Sequence, residues 1–211
     1  MMAVAHETVG GLSVSRETLA ALQAFEAEVK RWNPTVNLVS RSSLDSLWTR
    51  HIDDSAQIFR ACPPGAIKWV DLGSGGGFPG LVVAALALEH QPKLSVTLVE
   101  SDQRKATFLR QTAQKLGLPV EIQAKRAESL PPQMADVVSA RALAPLGDLL
   151  ELANLHLKTE GVAVFPKGAR HAEEAAEARR SWSFDLETLP STSNPDAAIL
   201  IIRKIHRATF T

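Results

Sequence analysis

The run Val70-Asp71-Leu72-Gly73-Ser74-Gly75-Gly76-Gly77-Phe78-Pro79-Gly80 constrains this chain more than any other stretch. It sets five glycines within eight residues, between an apolar strand-like segment and the start of a helix-forming one. Glycine adopts a left-handed backbone at no steric cost. Such a run therefore turns sharply and leaves main-chain N–H groups uncovered at a helix N-terminus, where nucleotide-type ligands settle. A strand-loop-helix unit of this kind belongs to α/β folds. Gly75-x-Gly77-x-x-Gly80 also has the dinucleotide spacing, and Glu100 lies 20 residues beyond it, at the end of the next apolar run, where it would accept hydrogen bonds from a ribose. Asp71 argues against a dinucleotide, because a carboxylate beside the loop repels a pyrophosphate and attracts the ammonium end of a methionine-like ligand. The residues thus favour S-adenosylmethionine, with Asp71, Gly75, Gly77 and Glu100 as its expected contacts.

The remainder of the chain supplies a sheet for that loop. Apolar runs at 67–72, 94–100, 120–124, 135–140 and 161–165 alternate with helical stretches near 79–89, 102–116 and 146–157, a pattern of βαβ units. After an Ala/Glu-rich helix from His171 to Arg180, two further runs, 184–189 and 198–203, are joined by Pro-Ser-Thr-Ser-Asn-Pro, which suits an antiparallel hairpin. Five parallel strands and a hairpin make the strand inventory of a class I methyltransferase sheet. Ahead of it, Leu19, Leu22, Phe25, Val29 and Trp32 line one side of a helix that Asn33-Pro34 is expected to close. Leu44, Leu47, Trp48, Ile52 and Phe59 mark a second helix. The expected division is a helical cap over 1–66 and a methyltransferase domain over 67–211, packed as one unit. Trp32, Trp48 and Trp69 fit the apolar stripes and are expected in the core.

Composition narrows the class of partner. With 23 Lys and Arg against 23 Asp and Glu, the whole molecule has no charge with which to coat a polyanion. A nucleic-acid substrate would need a local basic face. Between Ser101 and Arg126, six basic residues stand against two acids, and Arg203, Lys204, His206 and Arg207 form a second cluster. The single cysteine, Cys62, and six scattered His residues give no zinc-like spacing, so no metal is expected. His51, Asp53 and Asp54 stand at i, i+2 and i+3 of one helix and would not share a face. No apolar run approaches membrane-spanning length, and the first residues carry no export pattern, which suggests a cytoplasmic protein.

An ordered set of short motifs resembles one family. Asn37-Leu38, His51-Ile52-Asp53-Asp54-Ser55, the loop from Asp71 to Gly80, Arg104-Lys105, Arg126-Ala127-Glu128, Ser139-Ala140-Arg141-Ala142 and Lys167-Gly168 look, in this order, like the bacterial small-subunit ribosomal RNA methyltransferase G family, also called glucose-inhibited division protein B. The resemblance covers roughly residues 30–170. It implies methylation of N7 of one guanine in a 16S rRNA hairpin loop near the decoding centre, with S-adenosylmethionine as methyl donor. It also implies cofactor contacts at Gly73, Phe78, Ala127, Glu128 and Arg141, and places His51 and Asp54-Ser55 near the cofactor side of the cap. The partner would be 16S rRNA, within the small ribosomal subunit or an intermediate of its assembly, and the protein is expected to be a monomer.

The chemistry suits the residues. N7 of guanine is an acceptor lone pair that carries no proton, and it is hidden in the deep groove of A-form RNA. The base must be single-stranded or flipped out, and its methylation needs alignment rather than a general base. Arg141 and Lys167 follow the fourth and fifth strands, at the edge where open α/β sheets bind ligands, and are expected to hold phosphate or the guanine O6. An NAD(P)-dependent oxidoreductase is the alternative enzyme, disfavoured because the chain has no tyrosine to donate a proton. A non-catalytic, ribosome-associated module that keeps the cofactor pocket is the third reading.

Overall fold

The computed structural model describes residues 7–208. Val9-Gly10-Gly11-Leu12 turns back on itself, because both glycines take positive φ (56° and 80°), joining β1 (Glu7–Val9) to β2 (Leu12–Val14) as a short hairpin. Ser15 then caps α1 (Arg16–Val36) by accepting from Thr18 N at 3.2 Å. The helix does not stop at Asn33-Pro34 as the sequence suggests. Pro34 sits on the exposed face, where the carbonyl it cannot serve is free to meet water. The helix ends instead at Asn37, whose left-handed backbone (φ 55°) donates to Asn33 O at 2.9 Å. The second predicted helix is also divided. A 3₁₀ turn at Arg41–Ser43 precedes a π-helical turn, Trp48–Asp53, which runs into α2 (Asp54–Phe59).

The sheet follows: β3 (Lys68–Leu72), α3 (Gly80–His90), β4 (Ser95–Val99), α4 (Gln103–Leu116), β5 (Val120–Gln123), β6 (Ala135–Ala140), α5 (Leu146–His156), β7 (Leu157–Lys167), α6 (His171–Ala178), β8 (Trp182–Pro190) and β9 (Ala198–Arg207). In space the order is β5-β4-β3-β6-β7-β9-β8. The first five of these are parallel, and β9 runs antiparallel between β7 and β8. The direction of winding reverses between β3 and β6, the switch point outside which open α/β sheets bind their ligands.

One apolar layer joins β1, β2, α1 and the π-turn to α3 and α4, with Phe25, Ile52, Trp69 and Phe108 fully or almost fully buried. On the opposite face, α5 and α6 cover Val70, Leu72, Val138 and Phe165. Of the three tryptophans assigned to the core, Trp69 is wholly buried, whereas Trp32 and Trp48 pack half-buried at the margin. No helix among the described residues is long and apolar enough to cross a membrane.

Candidate cofactor and RNA site

The glycine loop leaves β3 and is fastened by three groups. Ser74 N donates to Val99 O at 3.0 Å and Gly77 N to Ser74 O at 2.7 Å, which close the turn. Glu100, just beyond β4, accepts from Gly75 N at 2.8 Å and from Asp102 N at 2.7 Å. Asp71 turns inward and has no exposed surface. It accepts from Gly80 N at 3.2 Å and from Ser139 Oγ at 2.7 Å, and Ser139 in turn accepts from Trp69 Nε1 at 2.8 Å. Burial pushes the Asp71 carboxyl up to about 6, against the pull of these donors. Its bonds within the protein hold the loop to the N-terminus of α3 and to β6, rather than facing outward to an ammonium group.

The glycines are required for different reasons. A Cβ on Gly80 would lie 2.0 Å from Leu98 Cδ2, and one on Gly77 2.7 Å from Leu81 Cδ1, so both are glycine for packing. Gly73 takes φ +65° under the Leu143 side chain, which a Cβ would meet at 2.6 Å. Gly75, at φ +53°, is different: a Cβ there would meet only Gly73 O, at 3.7 Å, so it faces open space. Bare main chain at that point, with a carboxylate at the next strand end, fits the methionine and ribose portions of S-adenosylmethionine.

The other predicted residues occupy the same rim, at the carboxyl ends of parallel strands. Phe78 is buried, and its ring meets Phe25 at 4.9 Å and His51 at 5.0 Å. Ala127, in the short 3₁₀ turn after β5, is buried, with its carbonyl 3.0 Å from His156 Nε2, while Glu128 beside it is exposed. Arg141 follows β6 and lays its guanidinium over Phe78, 5.1 Å from the ring centroid. The next residue, Ala142, holds a left-handed backbone (φ 52°) that is strained for alanine. Lys167 is less free than its position suggests. Its Nζ donates to Ala144 O at 2.8 Å and pairs with Glu174 at 2.7 Å, and Glu174 also accepts from Leu146 N at 3.0 Å. The pair braces the loop that carries Arg141.

A cavity of about 600 Å³ opens beside this rim, between the cap and the β8–β9 hairpin, with Arg50, His51, Asp54, Arg141, Leu143 and Lys167 in its wall. His51 and Asp54 share this wall, as residues three apart on one helical run do, and Asp53 between them does not. Asp53 points elsewhere and accepts from Gly10 N at 3.2 Å. Asp54 accepts from Ser191 and Ser193, and Gln57 donates to Pro190 O at 2.8 Å, so the cap holds the hairpin loop. Ser191, Ser193 and Glu174 went unnoticed in the sequence, since nothing local marks a contact across more than 130 residues or a carboxylate that caps another helix. Burial, with the charges of Arg141 and Arg50, pushes the His51 imidazole down to about 3 and keeps it neutral.

The basic clusters do not line this cavity. Lys115 is paired with Glu28, and α4 lies toward the β5 edge of the sheet, opposite the hairpin. Arg203, Lys204 and Arg207 pair with Glu187, Asp185 and Glu151. Among the described residues no cluster of three or more His, Cys, Asp or Glu could hold a metal ion.

A seven-stranded sheet with one reversed strand, and a glycine loop and strand-end carboxylate at its switch point, define a class I S-adenosylmethionine-dependent methyltransferase. Solved structures share the fold. The ribosomal protein L11 methylase of Lactobacillus delbrueckii matches with a TM-score of 0.58 at 17% identity, over 74% of this chain and 80% of that one. TYW2 of P. horikoshii, solved in complex with MeSAdo, matches with a TM-score of 0.52 at 13% identity, over 74% and 62%. The family model for rRNA small subunit methyltransferase G matches residues 18–199. Ribosomal RNA small subunit methyltransferase G of Cereibacter sphaeroides is 53% identical over 194 residues, 92% of this chain and 94% of its own length. Its counterpart in Ruegeria is 50% identical over 196 residues, 93% and 95%. The chain belongs to the rRNA small subunit methyltransferase G family, and is an S-adenosylmethionine-dependent rRNA methyltransferase.

Proposed function

We propose that this protein methylates N7 of one guanine in 16S rRNA, with the cofactor seated on the glycine loop and the base entering the cavity between the cap and the β8–β9 hairpin. The open space over Gly75, in the same loop whose Phe78 carries the Arg141 stack, is the observation that carries this reading. S-adenosylmethionine, when bound, supplies an electrophilic methyl group on a sulfonium. Glu100 accepts from the ribose hydroxyls while its other contacts hold Gly75 in place. Gly73, Gly77 and Phe78 shape the loop from below, and Asp71 anchors it to α3 and β6. The turn at Ala127 and Glu128 borders the adenine. Arg141, stacked on Phe78, orients the base through O6 and leaves N7 free. Lys167 acts through Ala144 and Glu174, positioning the Arg141 loop rather than touching RNA.

No proton leaves N7, so no side chain is needed as a base; alignment of nitrogen, methyl carbon and sulfur carries the rate. A His51 held neutral adds no cation where positive charge develops on the purine. The enzyme acts as a monomer in the cytoplasm on the small subunit or its assembly intermediate.

Borohydride and aniline cleavage of 16S rRNA from a deletion strain tests the target. Loss of cleavage at one guanine in a loop near the decoding centre is expected, restored by the gene, and an unchanged pattern would overturn it. Calorimetric binding of S-adenosylhomocysteine, abolished by Gly75→Val, tests the seat.

A further inference from the structure

Asp54 has an oxygen that neither the loop nor the hairpin uses. It opens α2 and lines the cavity. Its Oδ1 accepts from Ser191 Oγ at 2.8 Å and Ser193 Oγ at 2.9 Å, and no donor among the described residues reaches Oδ2. In the same wall Arg141, whose guanidinium carries five N–H donors, makes among the described residues only a long contact to Arg50 O at 3.5 Å besides its stack on Phe78. Asp54 and Asp71 are the two carboxylates whose charge acts on Arg141. The cavity wall thus carries an acceptor (Asp54) and a donor (Arg141), and Arg141 in turn rests on Phe78 at the end of the glycine loop, behind that wall.

The edge of guanine presents the complementary order. N1–H and the N2 amino group are donors, O6 is an acceptor, and N7 follows it around the ring. Adenine reverses the first two, with a lone pair at N1 facing the carboxylate and an amino group at N6 facing the guanidinium. Adenine also has an N7 that could be methylated, so placing N7 at the methyl group cannot by itself select guanine.

We propose that Asp54 is the guanine-specificity residue, its free Oδ2 accepting from N1–H and the N2 amino group while Arg141 takes O6 and N7 is left to the methyl donor. The two serine hydroxyls fix the carboxylate from behind, so the hairpin loop takes part in base selection. The inference rests on the cavity being the base site.

The test uses the full-length enzyme on small subunits reconstituted with 16S rRNA carrying guanosine, inosine, 2-aminopurine riboside or 7-deazaguanosine at the target position. Inosine lacks the N2 amino group, and 2-aminopurine lacks O6 and N1–H. For the wild type, kcat/KM is expected to fall about tenfold with inosine and about a hundredfold with 2-aminopurine, the scale of losing one and then several hydrogen bonds to charged groups. Asp54→Asn keeps an oxygen for the serines and puts an NH2 donor where Oδ2 stood. It should lower kcat/KM on guanosine and bring the guanosine-to-inosine ratio to within about threefold of one, since the contact to N2 is gone, while 2-aminopurine keeps only the part of its deficit that comes from the O6 lost to Arg141. A purely structural role would lower all substrates alike and leave the ratios unchanged, which overturns the proposal. A wild-type guanosine-to-inosine ratio near one overturns it too, whether or not the variant folds. Methylation of 7-deazaguanosine would instead overturn the N7 reading, a distinct failure.

Discussion

Gly75 and Gly80 sit five positions apart in one loop, yet their substitution should fail in opposite ways. A side chain at Gly80 meets Leu98 and Asp71 at 2.0 and 2.8 Å, an overpacking that costs about 1–3 kcal/mol or more. Gly80→Ala should therefore lose stability, read by urea denaturation. Gly75→Val finds space and only the strain of a positive φ, roughly 1–2 kcal/mol. It should stay folded at moderate temperature and lose S-adenosylhomocysteine binding by calorimetry. Asp71 carries a pH signature. Its carboxyl is raised from 3.8 to about 6, so the fold favours the protonated form. That contribution is complete below 3.8 and is lost as pH rises through about 6. The stability of the wild type relative to Asp71→Asn should fall by on the order of 3 kcal/mol across that window, read from denaturation at each pH. A flat difference would show that the buried carboxyl does not titrate there.

Elements show where local pattern and tertiary packing part company. Pro34 and the interruption of the second helix are cases in which the apolar stripe marked the right face and missed the winding, because periodicity reports burial and not hydrogen-bond register. The π-turn gives up regular hydrogen bonds just before α2, where His51 and Asp54 line one wall of the cavity. The entry to α1 depends on a distant partner: Glu89, at the end of α3, accepts from Ser15 N at 3.0 Å and Thr18 Oγ1 at 2.7 Å. Glu89→Ala should cost about 1–3 kcal/mol, the scale of leaving such donors unpaired. Cofactor affinity should be unchanged by calorimetry, since the contact lies away from the glycine loop.

At the scale of the molecule, zero net charge means that attraction to RNA arises from local cations only. Activity on subunits should still fall steeply with salt, as phosphate contacts release counterions, and a slope near zero would point to a small-molecule substrate. The cap and the sheet share one apolar layer, so we expect a single unfolding transition with coincident fluorescence and circular dichroism midpoints. Two separated midpoints would show an independent cap.

The strands, the glycine loop and Glu100 were legible in the sequence because each is a local pattern: alternation, turn chemistry, and a carboxylate at a strand end. The Gly10-Gly11 turn is a pattern of the same local kind, a glycine pair between Val9 and Leu12. That Arg141 follows the end of a strand was legible, whereas the engagement of Lys167 with Glu174 and the inward turn of Asp71 were not. What this sequence determined by itself was the order of strands and helices and the main-chain seat between them, since backbone preference acts over a few residues. Which carboxylates face a ligand, and which instead hold the protein together, only the tertiary structure decided, because burial and partners come from segments far apart in the chain.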